Sequence, residues 1–228
     1  MGLALAVGIF TQIDPEEHAD WRDCFERLNE ALAERGLRPH QEPEESDSWD
    51  GEMIGYSGLH DVRRLAAYID TGSRWPYPAT RDLDASTDSH LEAYVDAVNG
   101  KTGGWLHKLL GRPKSARRFD HLIVHSDAEG FYLPQDFDDV IIVSDDRVAG
   151  GMIGSASRLL AELEVIASAL EIPADLTAAS EELWEASDTP AGPDGQKWER
   201  YGRESFGCVV LREGCRHCIE TGAALVFI

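Results

Sequence analysis

Two apolar runs of strand length stand at opposite ends of this chain, Leu3–Ile9 within LALAVGIF and Ala223–Phe227 within AALVFI. A third, Phe119–His125 (FDHLIVH), lies near the middle. None of the three shows the i, i+3, i+4 spacing of an amphipathic helix, and each has strand length. A strand buried on both faces must pair, so the runs predict one mixed sheet that includes all three. GFYLPQDF and DDVIIVSDD read as further short extended segments beside the middle run. The expected fold is α/β or α+β, a single mixed β-sheet packed with several helices. No linker or repeat divides the chain, which predicts one domain over residues 1–228.

Helical spacing fills the intervals. In PEEHADWRDCFERLNEALAERG, Trp21, Cys24, Phe25, Leu28 and Leu32 fall on one face, with Gly36 as a stop. Leu59, Val62, Leu65, Ala66 and Ile69 make a second stripe, and DSHLEAYVDAVNG reads as a short helix. SASRLLAELEVIASALEI is the clearest helix, with Ser155 placed to cap it. A short helix is expected around Glu181–Ala186, and WERYGRESFGCVVLREGCRHCIETG reads as a helix with internal glycines. WLHKLLGRPKSARR, rich in positive charge, reads as an exposed helix end and loop, and RPHQEPEESDSWDGE as a polar loop.

Charge narrows the partners. The chain has 21 Lys+Arg against 42 Asp+Glu, a formal charge of -21. Such a surface repels a phosphate backbone, so nucleic acid is not expected as a ligand. It attracts a basic protein and speeds the encounter. The acid blocks EPEESD and DFDD nominate Glu44, Glu45, Asp47, Asp136, Asp138 and Asp139 as partner-binding residues, with Trp49 as an aromatic anchor. No segment reads as membrane-spanning. MGLALAVGIF lacks the basic region and cleavage site of a signal peptide, so a cytoplasmic protein with reduced cysteines is expected.

Three local patterns could carry chemistry. His125 is followed at once by Ser126, Asp127 and Glu129, and His60 follows a glycine-framed turn. A histidine with two carboxylates could ligate a metal or serve acid–base work in a hydrolase, and the same residues could instead make a polar turn. Cys215 and Cys218 have the spacing of half a zinc site. No second ligand pair stands at finger-like spacing, so they read as packing thiols and no metal is expected. Gly150, Gly151 and Gly154 precede a helix but lack the remainder of a phosphate-binding motif. The acids Asp145 and Asp146 beside them would repel phosphate, so they read as a tight turn. No cofactor is expected.

GYSGLHDVRRLAAY, FDHLIVHSDAEGFYLPQDF and GSASRLLAELEVIASAL resemble small, acidic bacterial proteins found beside polymorphic-toxin systems, and the likeness covers most of the chain. The resemblance implies a bacterial cytoplasmic protein with an immunity or other partner-binding role, its partner a basic toxin domain or another basic protein. Together these readings favour an acidic protein-binding module over an enzyme, with a hydrolase using His125, Asp127, Glu129 and His60 as the alternative.

Overall fold

The computed structural model describes residues 3–98, 118–126, 128–143 and 146–228. One mixed sheet of six strands organises them, in the order β2-β1-β6-β3-β5-β4. β1 is Ala4–Val7, β2 Trp49–Glu52, β3 Gly130–Leu133, β4 Ile141–Ile142, β5 Met152–Ser155 and β6 Leu225–Phe227. The two terminal apolar runs lie in this one sheet as expected, and the structure pairs them with each other, antiparallel, with Ala6 opposite Val226. β6 then pairs antiparallel with β3, and β3 pairs parallel with β5.

The pleat sorts side chains to two cores, because successive residues of a strand point to opposite faces. Leu5, Val7, Tyr132, Leu225 and Phe227 face one way. Ala6, Phe131, Leu133, Ile153 and Val226 face the other. The first face is covered by α3 (Gly55–Thr71), α6 (Ala156–Leu170) and α9 (Gly202–Thr221). α9 is buried around most of its circumference, packed between α6, α3, α7 (Glu181–Asp188) and the sheet. The second face is covered by α1 (Ile9–Gln12) and α2 (His18–Glu34), through Ile9, Phe10, Phe25, Leu28, Ala31 and Leu32. α4 (Ser89–Val98), α5 (Asp120–Ile123) and α8 (Lys197–Arg200) complete the described helices.

Two local expectations are corrected. Phe119–His125 is not a strand: its centre is the helical turn α5. The carboxylate of Glu162, on α6, accepts from the backbone amides of His121 (2.9 Å) and Leu122 (2.7 Å). Those are orphan donors of a helix start, and a buried acceptor reaching them from another helix favours the turn over an extended run. The central strand comes after it, at Gly130–Leu133. RPHQEPEESDSWDGE is not wholly loop, because Trp49–Glu52 is the edge strand β2, paired with β1. Ser155 caps α6 as expected, its hydroxyl accepting from the Arg158 amide. Most of the basic stretch WLHKLLGRPKSARR, up to residue 117, lies outside the described residues.

Candidate functional site

α2 is amphipathic, and its polar face is acidic. With Trp21, Phe25, Leu28 and Leu32 turned toward the sheet, the residues on the far side are Asp20, Asp23, Glu26, Glu30 and Glu34, all exposed. At about 100° per residue they fall within an arc of roughly 120°, and at about 1.5 Å per residue the row is ~21 Å long. It presents a carboxylate every ~5 Å on a rigid rod.

The row is not uniform. At the C-terminal end Arg147 meets Glu34 at 2.9 Å and Glu30 at 3.8 Å. Among the described residues Asp20, Asp23 and Glu26 enter no ion pair, so the N-terminal half carries the uncompensated charge. Arg27 shares the arc, and it hydrogen-bonds Cys24. Asp14, Glu16 and Glu17, all exposed, extend the acidic surface ahead of the helix.

The predicted acidic loop is held beside this end. Thr11 donates to the carbonyl of Ser46 and Gln12 to that of Trp49. Arg22 of α2 grips Glu44 at 2.7 Å, which lowers the Glu44 carboxyl by hydrogen bonding and charge. Glu44, Glu45, Asp47 and Asp50 are exposed. Glu42 is not part of this surface: buried, it accepts from the Ala224 amide (2.8 Å) and meets His40 Nε2 at 2.6 Å. Trp49 is half-buried in β2, its ring stacked on His217 at 5.9 Å. Asp136, Asp138 and Asp139 are exposed on the loop after β3, where Asp136 and Asp138 hold Arg158 at 2.6 and 2.7 Å.

The histidine corner is structural. His125 is buried, with its ring stacked on Tyr132 at 4.1 Å. Its nitrogens face the carbonyl oxygens of Ser126 (3.2 Å) and Phe131 (3.1 Å). A neutral ring donates to one of these and offers no free nitrogen to a substrate. Burial pushes it down to about 3, so it takes no proton at neutral pH. His60 and His125 both line a cleft of about 680 Å³. Glu129 is exposed, and Asp127 lies outside the described residues. With both nitrogens so placed, His125 is not free to act as the general base of the hydrolase alternative, which corrects that alternative at its central residue.

The remaining motifs pack. Cys215 and Cys218 are buried on α9, with burial pushing both thiols up, and Cys218 donates to the Tyr132 carbonyl at 3.5 Å. Among the described residues no three His, Cys, Asp or Glu side chains gather as a metal site. Gly150 and Gly151 adopt φ of 69° and 64° in a tight turn, and a Cβ on Gly150 would collide with the Glu129 carbonyl. No helix among the described residues is long and apolar enough to cross a membrane.

The acid row on α2 was readable in the sequence, from the 3- and 4-residue spacing of Asp20, Asp23, Glu26, Glu30 and Glu34. The apolar stripe on the same helix and the denser acid blocks of the loops mask it in the sequence.

No curated protein and no solved structure matches the chain. A family model of DNA-mimic proteins matches residues 1–227. That match overturns the resemblance to immunity proteins of polymorphic-toxin systems, and with it the toxin as partner. It also overturns the expectation that set nucleic acid aside in reading the partners, since the family is described as imitating DNA. The chain belongs to the family described as "Putative DNA-mimic protein".

Proposed function

We propose that this protein occupies the DNA-binding surface of a DNA-binding protein, with its exposed carboxylates standing where phosphates would lie. The observation that carries this reading is the row Asp20, Asp23, Glu26, Glu30 and Glu34 on the outer face of α2. A DNA strand presents a phosphate about every 3.4 Å of axis, and the row presents a carboxylate about every 5 Å. The lower density is supplemented by Glu44, Glu45, Asp47 and Asp50 from the adjoining loop. The rod is preorganised, because Phe25, Leu28 and Leu32 fix it to the sheet. A partner that evolved to place Lys and Arg along a phosphate backbone would find its cations met by carboxylates instead, in an association that is likewise weakened by salt.

In the same reading Trp49, stacked on His217, supports the loop rather than reaching out as an anchor. Asp136, Asp138 and Asp139 form a secondary acidic site, tempered by Arg158. Residues 1–228 act as one domain, because β1 and β6 join the chain ends in one sheet with α2 on its back. The protein works in the compartment that holds the cell's DNA, the cytoplasm of a bacterium.

The test is capture on the immobilised protein from an extract of the source organism. Bound proteins should be released by a short DNA duplex and not by polyglutamate at the same charge concentration. A purified captured protein should then bind duplex or this chain, never both. A stable ternary complex would overturn the proposal.

A further inference from the structure

Away from the acidic face, the start of α9 and the middle of α3 enclose a cluster of charges. Asp61 and Glu204 are both fully buried, and Arg203 and Arg64 are nearly so. Arg203 Nε donates to Asp61 Oδ2 at 2.8 Å, and its Nη2 to Ser57 at 2.9 Å. Arg64 Nε donates to Asp88 at 3.0 Å, and its Nη2 to the carbonyl of Tyr77 at 3.1 Å. These pairings match Asp61 with Arg203 and Asp88 with Arg64. Glu204 is left with neutral partners, its own backbone amide and that of Ala79, which donates to Oε1 at 2.9 Å.

Two carboxylate oxygens here are buried with no partner, Asp61 Oδ1 and Glu204 Oε2, and so is one guanidinium nitrogen, Arg64 Nη1, whose charge opposes protonation of the pair without outweighing burial. A buried carboxylate without an opposite charge takes up a proton instead of staying ionised. A proton on Glu204 Oε2 turns one orphan acceptor into a donor, and Asp61 Oδ1 is an acceptor still open. The groups facing the pair are Ser57 and Arg64 from α3, Tyr201 and Arg203 from the start of α9, and Asp84 and Asp88 from the connection between α3 and α4. Burial pushes Glu204 up to about 7, with the charge of Asp61 adding to it, and burial pushes Asp61 up to about 6 against the pull of Arg203.

The cluster holds a surface loop. Ala79 is tied by Glu204, Tyr77 by Arg64, and the carbonyl of Pro76 accepts from the Tyr201 hydroxyl at 2.9 Å. Tyr77 itself is 87% exposed at the tip. We propose that Asp61 and Glu204 hold one proton between them, and that its loss loosens the loop over residues 73–83. The device is independent of the acidic face on α2.

The test uses the full chain. Carboxyl carbon shifts of Glu204, followed by NMR against pH, should titrate well above the ordinary glutamate value of about 4.3. Opening at the Ala79 amide, from hydrogen exchange corrected for intrinsic base catalysis, should rise up to about tenfold per pH unit between about pH 5 and 7, the limit for one proton, and level off above. Glu204→Gln keeps the acceptor for Ala79 and supplies a permanent donor, so its opening should be flat with pH and as low as in the acid form of the parent. A Glu204 midpoint in the ordinary range, or the same pH slope in Glu204→Gln, overturns the proposal. Should that variant fail to fold, the carboxyl titration of the parent decides alone.

Discussion

Replacing Asp20, Asp23 and Glu26 together, by Asn, Asn and Gln, should weaken the complex with a DNA-binding partner and leave the fold as stable as before. The three carboxylates stand one helical turn apart on the exposed face of α2. Like charges three or four residues apart repel by about 0.2–0.5 kcal/mol a pair, so removing the Asp20–Asp23, Asp23–Glu26 and Glu26–Glu30 repulsions relieves roughly 0.6–1.5 kcal/mol. Against this, Asp20 lies in the first turn, where its charge meets the positive end of the helix dipole, and losing it costs about 0.3–1 kcal/mol. The two nearly cancel, and the net change should stay within about 0.5 kcal/mol, or ~2 °C in Tm. The complex has no such compensation. Three exposed ion pairs at about 0.2–1 kcal/mol each amount to ~0.6–3 kcal/mol, which is a loss of about 3- to 150-fold in affinity. Most of it should appear in the association rate, and it should fade as salt shortens the Debye length from about 10 Å at 0.1 M to about 3 Å at 1 M. Stopped-flow association across ionic strength, beside a thermal melt, reads both quantities. Unchanged affinity, or a loss that tracks a fallen Tm, would refute the reasoning.

Stability should peak in mildly acidic solution, because a buried histidine and two buried carboxyl groups act in opposite directions. His125, held down at about 3, gives stability that is present above its unfolded value of about 6.5 and lost as pH falls toward 3. Glu204 and Asp61, raised to about 7 and 6, give stability that is present below their unfolded values and lost as pH rises through the folded ones. Urea midpoints against pH should show both limbs, with the acid limb shallower in His125→Gln; identical limbs would contradict the assignment. Gly202→Ala should cost about 2–3 kcal/mol, or roughly 5–10 °C in Tm, because the new Cβ meets the Ala186 carbonyl and the Ser187 amide, backbone that cannot step aside. In native protein a thiol reagent should spare Cys208, Cys215 and Cys218, which burial keeps as thiols, and react slowly with the half-buried Cys24. Prompt labelling of more than one cysteine, read by mass spectrometry, would count against the packing described.

The sheet was legible where strand length and burial coincide. Leu3–Ile9 and Ala223–Phe227 contain β1 and β6, and these pair with each other. FDHLIVH misled because what decides its conformation lies elsewhere in the chain: Glu162, about 40 residues on, captures the amides of His121 and Leu122 and favours a helical turn. Windowed periodicity cannot see an acceptor supplied by another helix. The same distance effect hid the fate of Glu42, which reads as one more acid in EPEESD yet is buried against Ala224 and His40. It also hid His125, whose stacking partner and carbonyl acceptors are assembled only by folding. The acid row of α2 is local and helical. It could be read directly, but only by asking which residues stand opposite the apolar stripe.

The measurement that bears most directly on the central claim is a competition equilibrium. Labelled duplex is bound to the captured DNA-binding protein and titrated with this chain, with anisotropy as the readout. The account predicts full displacement of the duplex by the parent chain, and displacement only at higher concentration by the Asp20→Asn, Asp23→Asn, Glu26→Gln variant. A rise in anisotropy, as a ternary complex would give, or displacement that is indifferent to those three residues, would contradict it.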